Sequence, residues 1–105
     1  MEDFEFQNHT QAADAPLYQE AERRLEALAE GHTDIVGAAV ALEELTQSNT
    51  PHQYRARVVV YIRPNNIVGV EKAGDVGAAL NRALSVVEQQ VRSQRDKLRE
   101  TWKQP

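Results

Sequence analysis

Residues 54–63 read Tyr-Arg-Ala-Arg-Val-Val-Val-Tyr-Ile-Arg, and this stretch decides the fold. Its side chains alternate between two faces. One face holds Ala56, Val58, Val60 and Ile62, and the other holds Arg55, Arg57, Val59, Tyr61 and Arg63. A period of two residues, with one apolar face, is typical of a β-strand that packs on a core. The alternation therefore predicts a strand with one buried face and one basic face.

The chain after this strand predicts a turn, a second strand and a long helix. Pro64-Asn65-Asn66 has the composition of a turn, and the chain returns as a strand over residues 67–72. Asp75 follows Ala73-Gly74 and is suited to cap a helix. That helix is predicted from about Asp75 to Trp102, because apolar residues recur at helical spacing. They are Val76, Leu80, Leu84, Val87, Val91, Leu98 and Trp102.

The first half of the chain predicts a strand, a helix and an inner strand. Phe4 and Phe6 alternate with polar residues, as in a half-buried strand. A helix is expected to begin at Asp14, with Asp14 as its cap and Pro16 in the first turn, and to stop at Gly31. Residues 35–42 are small and apolar on both faces, which favours an inner strand. Residues 43–53 are polar and predict a flexible connection.

These elements predict one α+β domain over residues 1–105, since the chain is too short for two domains. The order is β-α-β-β-β-α. Four strands with both helices on one face form a two-layer sandwich. The predicted core comprises Val36, Val40, Val58, Val60, Leu25, Leu28, Leu80, Leu84, Val87 and Val91.

The composition excludes several classes of protein. The chain has no cysteine, so it has no disulfide and no thiolate metal site. No apolar run is long enough to cross a membrane, and the acidic N-terminus is unlike a secretory signal, so we expect a cytoplasmic protein. The three histidines lie in predicted loops, and no phosphate loop or nucleophile motif occurs. We therefore predict no catalytic residue, no metal and no cofactor.

Charge is distributed unevenly along the chain. Residues 1–50 carry 11 acidic and 2 basic residues, a net charge of −9, whereas residues 51–105 carry 5 acidic and 10 basic residues, a net charge of +5. In the last helix Arg92, Arg95, Arg99 and Lys103 follow one another at steps of three, four and four, which places them on one stripe. Such a stripe is suited to RNA phosphates, because guanidinium groups bind them in a bidentate manner. The alternative is a solvated helix face with local pairs such as Glu88–Arg92.

The element order and three segments resemble the short ribosome hibernation factors, the group of hibernation-promoting factor and ribosome-associated inhibitor A. One segment is Gly74-Asp75-Val76-Gly77-Ala78-Ala79-Leu80-Asn81. It is similar to a family pattern in which an Asp is followed by apolar residues and then by an Ala-Ala-Ile/Leu-Asp-like sequence. Val87-Glu88-Gln89-Gln90-Val91-Arg92 and Arg95-Asp96-Lys97-Leu98-Arg99 are similar to its closing pattern, a Gln-Leu pair followed by Lys-x-Lys-Leu-Lys. The resemblance spans nearly the whole chain.

The resemblance implies a non-enzymatic translation inhibitor that binds 16S rRNA of the small ribosomal subunit and silences idle ribosomes. In this family basic side chains of both helices contact rRNA phosphates between the head and the body of the subunit. By position, Arg24 matches a basic site of the first helix, and Arg95, Lys97 and Arg99 match basic sites of the second. Together with the charged flanks of the last helix, the predicted RNA-binding residues are Arg24, Arg82, Arg92, Arg95, Lys97, Arg99 and Lys103.

The chain also departs from the family. Uncharged residues occupy positions where relatives commonly carry Lys or Arg, namely Ala27, Val86, Gln89 and Ser93. Each lost phosphate contact weakens binding to RNA. A second hypothesis is therefore a protein-interaction module of the same fold, a homodimer through the exposed sheet around Val59 and Tyr61, without ribosome binding. The two hypotheses differ in whether the helices present one continuous basic ridge or whether Glu20, Glu22 and Glu26 neutralise it.

Overall fold

The computed structural model describes residues 3–32, 34–45, 54–63 and 65–103, with side chains described as far as Gln94. The elements follow the predicted order β-α-β-β-β-α. Their bounds are β1 Asp3–His9, α1 Asp14–Gly31, β2 Ile35–Glu44, β3 Tyr54–Ile62, β4 Ile67–Ala73 and α2 Val76–Lys103. Strand β2 runs two residues further than predicted, and most of the predicted connection after it lies outside the described residues.

The four strands form one mixed sheet in the order β1-β2-β3-β4. Strand β1 is parallel to β2, and the other two neighbouring pairs are antiparallel. A parallel pair needs a crossover connection, and α1 supplies it here. The two central strands are β2 and β3, so the prediction of an inner strand over residues 35–42 is confirmed.

Both helices pack on the same face of the sheet, as predicted, and they share a single core with it. The inward residues of β3 are buried, as the alternation at 54–63 indicated. Burying this apolar surface is the main term that stabilises the fold. The buried residues of the two helices are Leu17, Ala21, Leu25, Leu28, Val76, Ala79, Leu80, Ala83, Leu84, Val87 and Val91. Nine of the ten predicted core residues are buried, and Val36 is the exception.

The prediction for Val36 is wrong because the start of β2 contains an irregularity. Ile35 pairs with Ile62, but the next pair is Gly37 with Tyr61, so Val36 has no partner on β3. An extra residue of this kind shifts the alternation of side chains by one position. Ile35 is consequently buried, and Val36 is 57% exposed.

The two helices begin differently. The backbone N–H of Ala78 donates a hydrogen bond to Asp75 Oδ2 at 3.1 Å, so Asp75 caps α2 as predicted. Asp14 was predicted to cap α1, but that prediction is wrong: the cap position is Ala13, without a side-chain cap bond. Asp14 is instead the first helical residue, and its Oδ1 accepts a hydrogen bond from Asn8 Nδ2 at 2.6 Å.

Gly69 lets α2 approach β4 closely. A Cβ atom at this position would lie 2.9 Å from the carbonyl oxygen of Ala83 and 3.1 Å from Val87 Cγ1. The backbone oxygen cannot move away unless the helix moves. We expect Gly69→Ala to lower the free energy of unfolding by about 1–3 kcal/mol, the usual cost of overpacking. Chemical denaturation measures this change.

Gly31 provides the matched control for this substitution. A Cβ atom there would meet nothing within 4 Å. Gly31→Ala should therefore leave the denaturation midpoint unchanged or raise it slightly. Equal midpoints for the two variants would mean that Gly69 does not set the distance between α2 and the sheet.

Candidate nucleic-acid interface

The described basic side chains of α2 lie on its outer surface. Arg82 and Arg92 are both exposed. Arg82 Nη1 donates a hydrogen bond to the carbonyl oxygen of Lys72 at 3.1 Å, which holds this arginine against the edge of the sheet. Arg92 makes no ion pair within the part of the chain that the structure describes. Its guanidinium is therefore available to an anionic partner.

The helix continues beyond Arg92 to Lys103, and it carries four more predicted RNA-binding residues. These are Arg95, Lys97, Arg99 and Lys103, whose side chains lie outside the described residues. The backbone is helical throughout, and successive residues of a helix are about 100° apart around its axis. Positions 92, 95, 99 and 103 therefore lie along one side of α2. The positions of the predicted basic stripe thus all lie on one continuous helix.

Arg24, the predicted basic residue of α1, lies between the two helices. Its Nη2 is 2.5 Å from Glu88 Oε1 and 3.1 Å from Ser85 Oγ, and its Nη1 is 2.9 Å from Asn81 Oδ1. Only 16% of the Arg24 side chain is exposed. These contacts fasten α1 to α2, and we call Arg24, Asn81, Ser85 and Glu88 the interhelical clamp.

Sequence reasoning missed this clamp. It paired Glu88 with Arg92, four residues along the same helix, but Glu88 contacts Arg24 of α1 instead. One signal was available. Asn81, Ser85 and Glu88 recur at steps of four and three, which makes a polar line beside the apolar stripe of α2. A polar line in that place can bind a basic residue from a neighbouring helix.

The clamp leads to a prediction about stability. Glu88→Gln removes the negative charge that neutralises Arg24, while Asn81 and Ser85 continue to accept hydrogen bonds. We expect the free energy of unfolding to fall by about 1–3 kcal/mol, as for a polar group that loses a charged partner. The measurement is urea denaturation, in which the slope of the unfolding free energy against urea concentration should be unchanged.

Glu20→Gln is the control for this prediction. Glu20 Oε1 lies 2.8 Å from Arg23 Nη2, but that pair is solvent-exposed. Exposed pairs contribute about 0.2–1 kcal/mol, so this variant should change stability less. If both variants unfold at the same denaturant concentration, the clamp is no stronger than a surface pair.

The outward surface of α1 is acidic. Glu22 and Glu26 lie there, and their effect is visible at Tyr18. A hydrogen bond to Glu22 raises the pKa of Tyr18, with smaller contributions from desolvation and from the negative charges of Glu22 and Glu26. Since Arg23 is paired with Glu20 and Arg24 with Glu88, α1 adds little positive charge to the helical side. The available positive charge on that side belongs to α2.

A shallow cavity of about 230 Å³ lies between the helices near the clamp. Arg24, Glu88 and Arg92 line it. Ala27, at a position where relatives commonly have a basic residue, lies in this cavity together with Leu28, Gly31 and His32. A small side chain here leaves room beside Arg92.

The described residues place both helices on one face of the sheet and nothing on the opposite face, which we call the open sheet face. Arg55, Arg57, Val59 and Tyr61 of β3 point to it, as the alternation predicted. Arg55 forms an ion pair with Glu43 of the neighbouring strand. Strand β4 adds Val68 and Val70, which are 41% and 49% exposed. This face therefore exposes both apolar and charged side chains.

The profile of the family described as "Sigma 54 modulation protein / S30EA ribosomal protein" matches residues 4–99. The chain belongs to this family. The resemblance to hibernation-promoting factors is thereby confirmed, and the S30AE family, as we call it, is one of ribosome-associated modulation proteins.

Two solved structures are similar to this chain in fold. The N-terminal domain of Thermus thermophilus Protein Y is 21% identical, with a TM-score of 0.68, over 87% of this chain and 96% of that one. A ribosomal subunit interface protein from Coxiella burnetii is 11% identical, with a TM-score of 0.71, over 90% of this chain and 98% of that one. At these identities the likeness shows a shared fold. Among curated protein sequences, none matches this S30AE chain.

The described residues of the S30AE chain contain neither a membrane-spanning helix nor a cluster of metal ligands. No helix in its described part is long and apolar enough to cross a membrane. Among the described residues, no three His, Asp or Glu side chains are grouped as metal ligands.

Proposed function

We propose that this S30AE protein binds the small ribosomal subunit through 16S rRNA and silences idle ribosomes, without catalysing a reaction. Membership of a ribosome-associated family supports the partner class. The observation that carries the proposal is the exposed Arg92, which makes no ion pair in the described part of the chain and begins a basic run on a helix that reaches Lys103. Phosphate groups are the natural ligands of such a run.

The predicted residues divide into two roles in this proposal. Arg92, Arg95, Lys97, Arg99 and Lys103 contact rRNA phosphates from α2, with Arg82 at the other end of the helix. Arg24 assists from α1, since its bonds to Glu88, Asn81 and Ser85 hold α2 in place. A rigid support matters because phosphate contacts are lost when the side chains that make them are misplaced.

Cosedimentation tests this function. The purified protein is mixed with separated small and large ribosomal subunits and run on sucrose gradients at about 50 and 200 mM salt. We expect it to travel with the small subunit at low salt and to be released as salt rises, because bound counterions are displaced when phosphates are neutralised. Binding that does not change with salt concentration, or that is equally strong to both subunits, would contradict the proposal.

Silencing requires a separate measurement. Adding the protein to a purified translation system before messenger RNA should reduce synthesis, whereas adding it after initiation should have a smaller effect. Equal inhibition in both orders would mean that the protein does not compete for the sites of messenger and transfer RNA.

A second candidate function is a protein-interaction module of the same fold. The acidic outer surface of α1 favours it, because negative charge there opposes RNA on half of the helical side. The two candidates need not exclude each other, since the open sheet face lies on the side away from both helices.

A further inference from the structure

Strand β1 lies at one end of the sheet, and we call its side away from β2 the β1 edge. Within the described residues, β2 is the only strand that pairs with β1. A strand that is paired on one side presents a row of backbone N–H and C=O groups on its other side. About half of the residues in Asp3–His9 therefore direct both groups along the β1 edge, where an extended chain can pair with them.

The opposite edge strand, β4, is less open than β1. The carbonyl oxygen of Lys72 accepts a hydrogen bond from Arg82 Nη1 at 3.1 Å, so a side chain of α2 already occupies a backbone group of β4. No described side chain makes such a bond to the backbone of residues 3–7. Strand β4 also has buried residues, whereas no residue of β1 is fully buried. The β1 side of the sheet is thus the less enclosed end.

On the helical side, the β1 edge borders an aromatic cluster that is only half-buried. The ring of Tyr18 contacts the rings of Phe4 and Phe6 edge-on, with centroids 5.3 and 5.4 Å apart. Phe4 and Phe6 pack against the core without being enclosed by it, and Tyr18 is 37% exposed. Apolar side chains of an extended chain along this edge would cover more of the aromatic surface.

Negative charge lies beside the same edge on both faces of the sheet. On the open sheet face, β1 presents Asp3 and Glu5, which are both exposed. On the helical side, the Tyr18 hydroxyl is hydrogen-bonded to Glu22, and the negative charge of Glu26 acts on the same hydroxyl. An acidic rim therefore follows the aromatic cluster and the free backbone groups, and a basic partner complements it.

A second copy of the chain suits this edge less well than a basic segment does. Parallel pairing of two β1 strands places Asp3 and Glu5 beside their own counterparts. Antiparallel pairing can set Asp3 opposite His9, but it leaves Glu5 without a base and turns Glu22 of both α1 helices toward the junction. Like charges across an interface oppose association, and the same acidic residues oppose RNA phosphates. Charge therefore favours a basic segment of another protein.

We propose that the β1 edge binds an extended basic segment of a partner protein, which adds to the sheet as a fifth strand. Alternate side chains of that segment point to opposite faces. Lys or Arg at one set of positions meets Asp3 and Glu5 on the open sheet face. Apolar side chains at the other set lie over Phe4, Phe6 and Tyr18. Helix α2 packs on β3 and β4, at the other end of the sheet, so the proposed rRNA surface stays free.

Three labelled peptides of seven residues, the length of β1, test this pairing by fluorescence anisotropy. The first, Lys-Val-Lys-Val-Lys-Val-Lys, reads the same in either strand direction. The second, Lys-Lys-Val-Val-Val-Lys-Lys, keeps its charge and composition without the alternation, and the third replaces each Val of the first by Ser. An interface of one strand is small, so we expect a Kd of about 10–500 μM for the first peptide. The other two should bind at least about tenfold more weakly, since each lacks one part of the pattern.

Glu5→Lys tests where the peptide binds. This change reverses an exposed charge of the β1 edge, so Kd for the first peptide should rise about tenfold. Glu71→Lys is the matched control, because it changes the net charge equally on the other edge strand, β4. It should leave Kd within about twofold of the parent value. Circular dichroism should show that both variants are folded.

Amide hydrogen exchange tests whether the peptide adds as a strand. A saturating concentration of the first peptide should slow exchange of the outward amides of β1 by about tenfold or more, because strand pairing protects them. Amides of β4 should exchange at an unchanged rate. The peptide measurements need no substituted chain, so they stand even if a variant fails to fold.

Several results would overturn the proposal. They are no binding of the first peptide up to about 1 mM, equal binding of either altered peptide, equal losses in Glu5→Lys and Glu71→Lys, and unchanged exchange of β1. Sedimentation velocity that finds a dimer of the parent chain, broken by Glu5→Lys, would assign the edge to a second copy. An oligouridylate that displaces the peptide would assign it to RNA. Because none of these measurements uses ribosomes, failure of this proposal and failure of ribosome binding are distinguishable.

Discussion

The variant with Arg92, Arg95 and Arg99 all replaced by Gln should bind the small ribosomal subunit about a hundredfold more weakly near 0.15 M salt. Each lost phosphate contact lowers the slope of log K against log salt by about 0.9, so the slope should flatten by up to about three. The measurement is the affinity at several salt concentrations. The fold should survive, since Arg92 is exposed and lies outside the apolar stripe of α2.

The control for this variant has the same change in charge at a different place. Arg55, Arg57 and Arg63, replaced together by Gln, are exposed residues of β3 and of the position that follows it. For this variant the slope of log K against log salt should be nearly that of the parent chain. If the α2 variant is folded and cosediments as well as the parent, or if the two variants lose affinity equally, the helix does not carry the interface.

Leu84→Ala should have the largest effect on stability. Leu84 is fully buried in α2 and belongs to the single core that the helices share with the sheet. Truncating a buried leucine removes its transfer free energy and leaves a cavity, at a cost of about 2–5 kcal/mol. Domains of this size are stable by about 5–15 kcal/mol, so the variant should unfold at a much lower denaturant concentration.

Val68→Ala is the comparison for Leu84→Ala. Val68 is 41% exposed on the open sheet face, and surface substitutions usually change stability by less than about 0.5 kcal/mol. Equal denaturation midpoints for Leu84→Ala and Val68→Ala would mean that Leu84 of α2 does not contribute to the core as described.

Periodicity along the chain predicted most of the fold. The alternation at 54–63 and the apolar spacing of α2 each depend on one element and its buried face, so local sequence is sufficient to detect them. Val36 was misplaced because the irregularity before Gly37 depends on how β2 pairs with β3, which the sequence of β2 does not specify. Strand order and register are likewise set by partners far away in the chain.

The candidate site was predicted less completely than the fold. The basic stripe of α2 follows from helical spacing, but the environment of Arg24 depends on Glu88, which lies 64 residues further along the chain. Sequence could place Arg24 on α1 and could not show that its guanidinium is held by the other helix. The open sheet face was recognised as basic and aromatic, whereas the residues of β1, β2 and β4 that lie beside those of β3 on this face are known only from the register of neighbouring strands.

The acidic outer surface of α1 and the basic run of α2 give the molecule a separation of charge, and this affects how it meets a polyanion. With a net charge of −4, the chain as a whole is repelled by RNA at long range. Screening confines that repulsion to about 8 Å at physiological salt. Within this distance the local field favours encounters in which α2 leads over those in which α1 leads, since the outer surface of α1 brings carboxylates toward phosphates. The charge on α1 should therefore act on the association rate and orient the protein before contact.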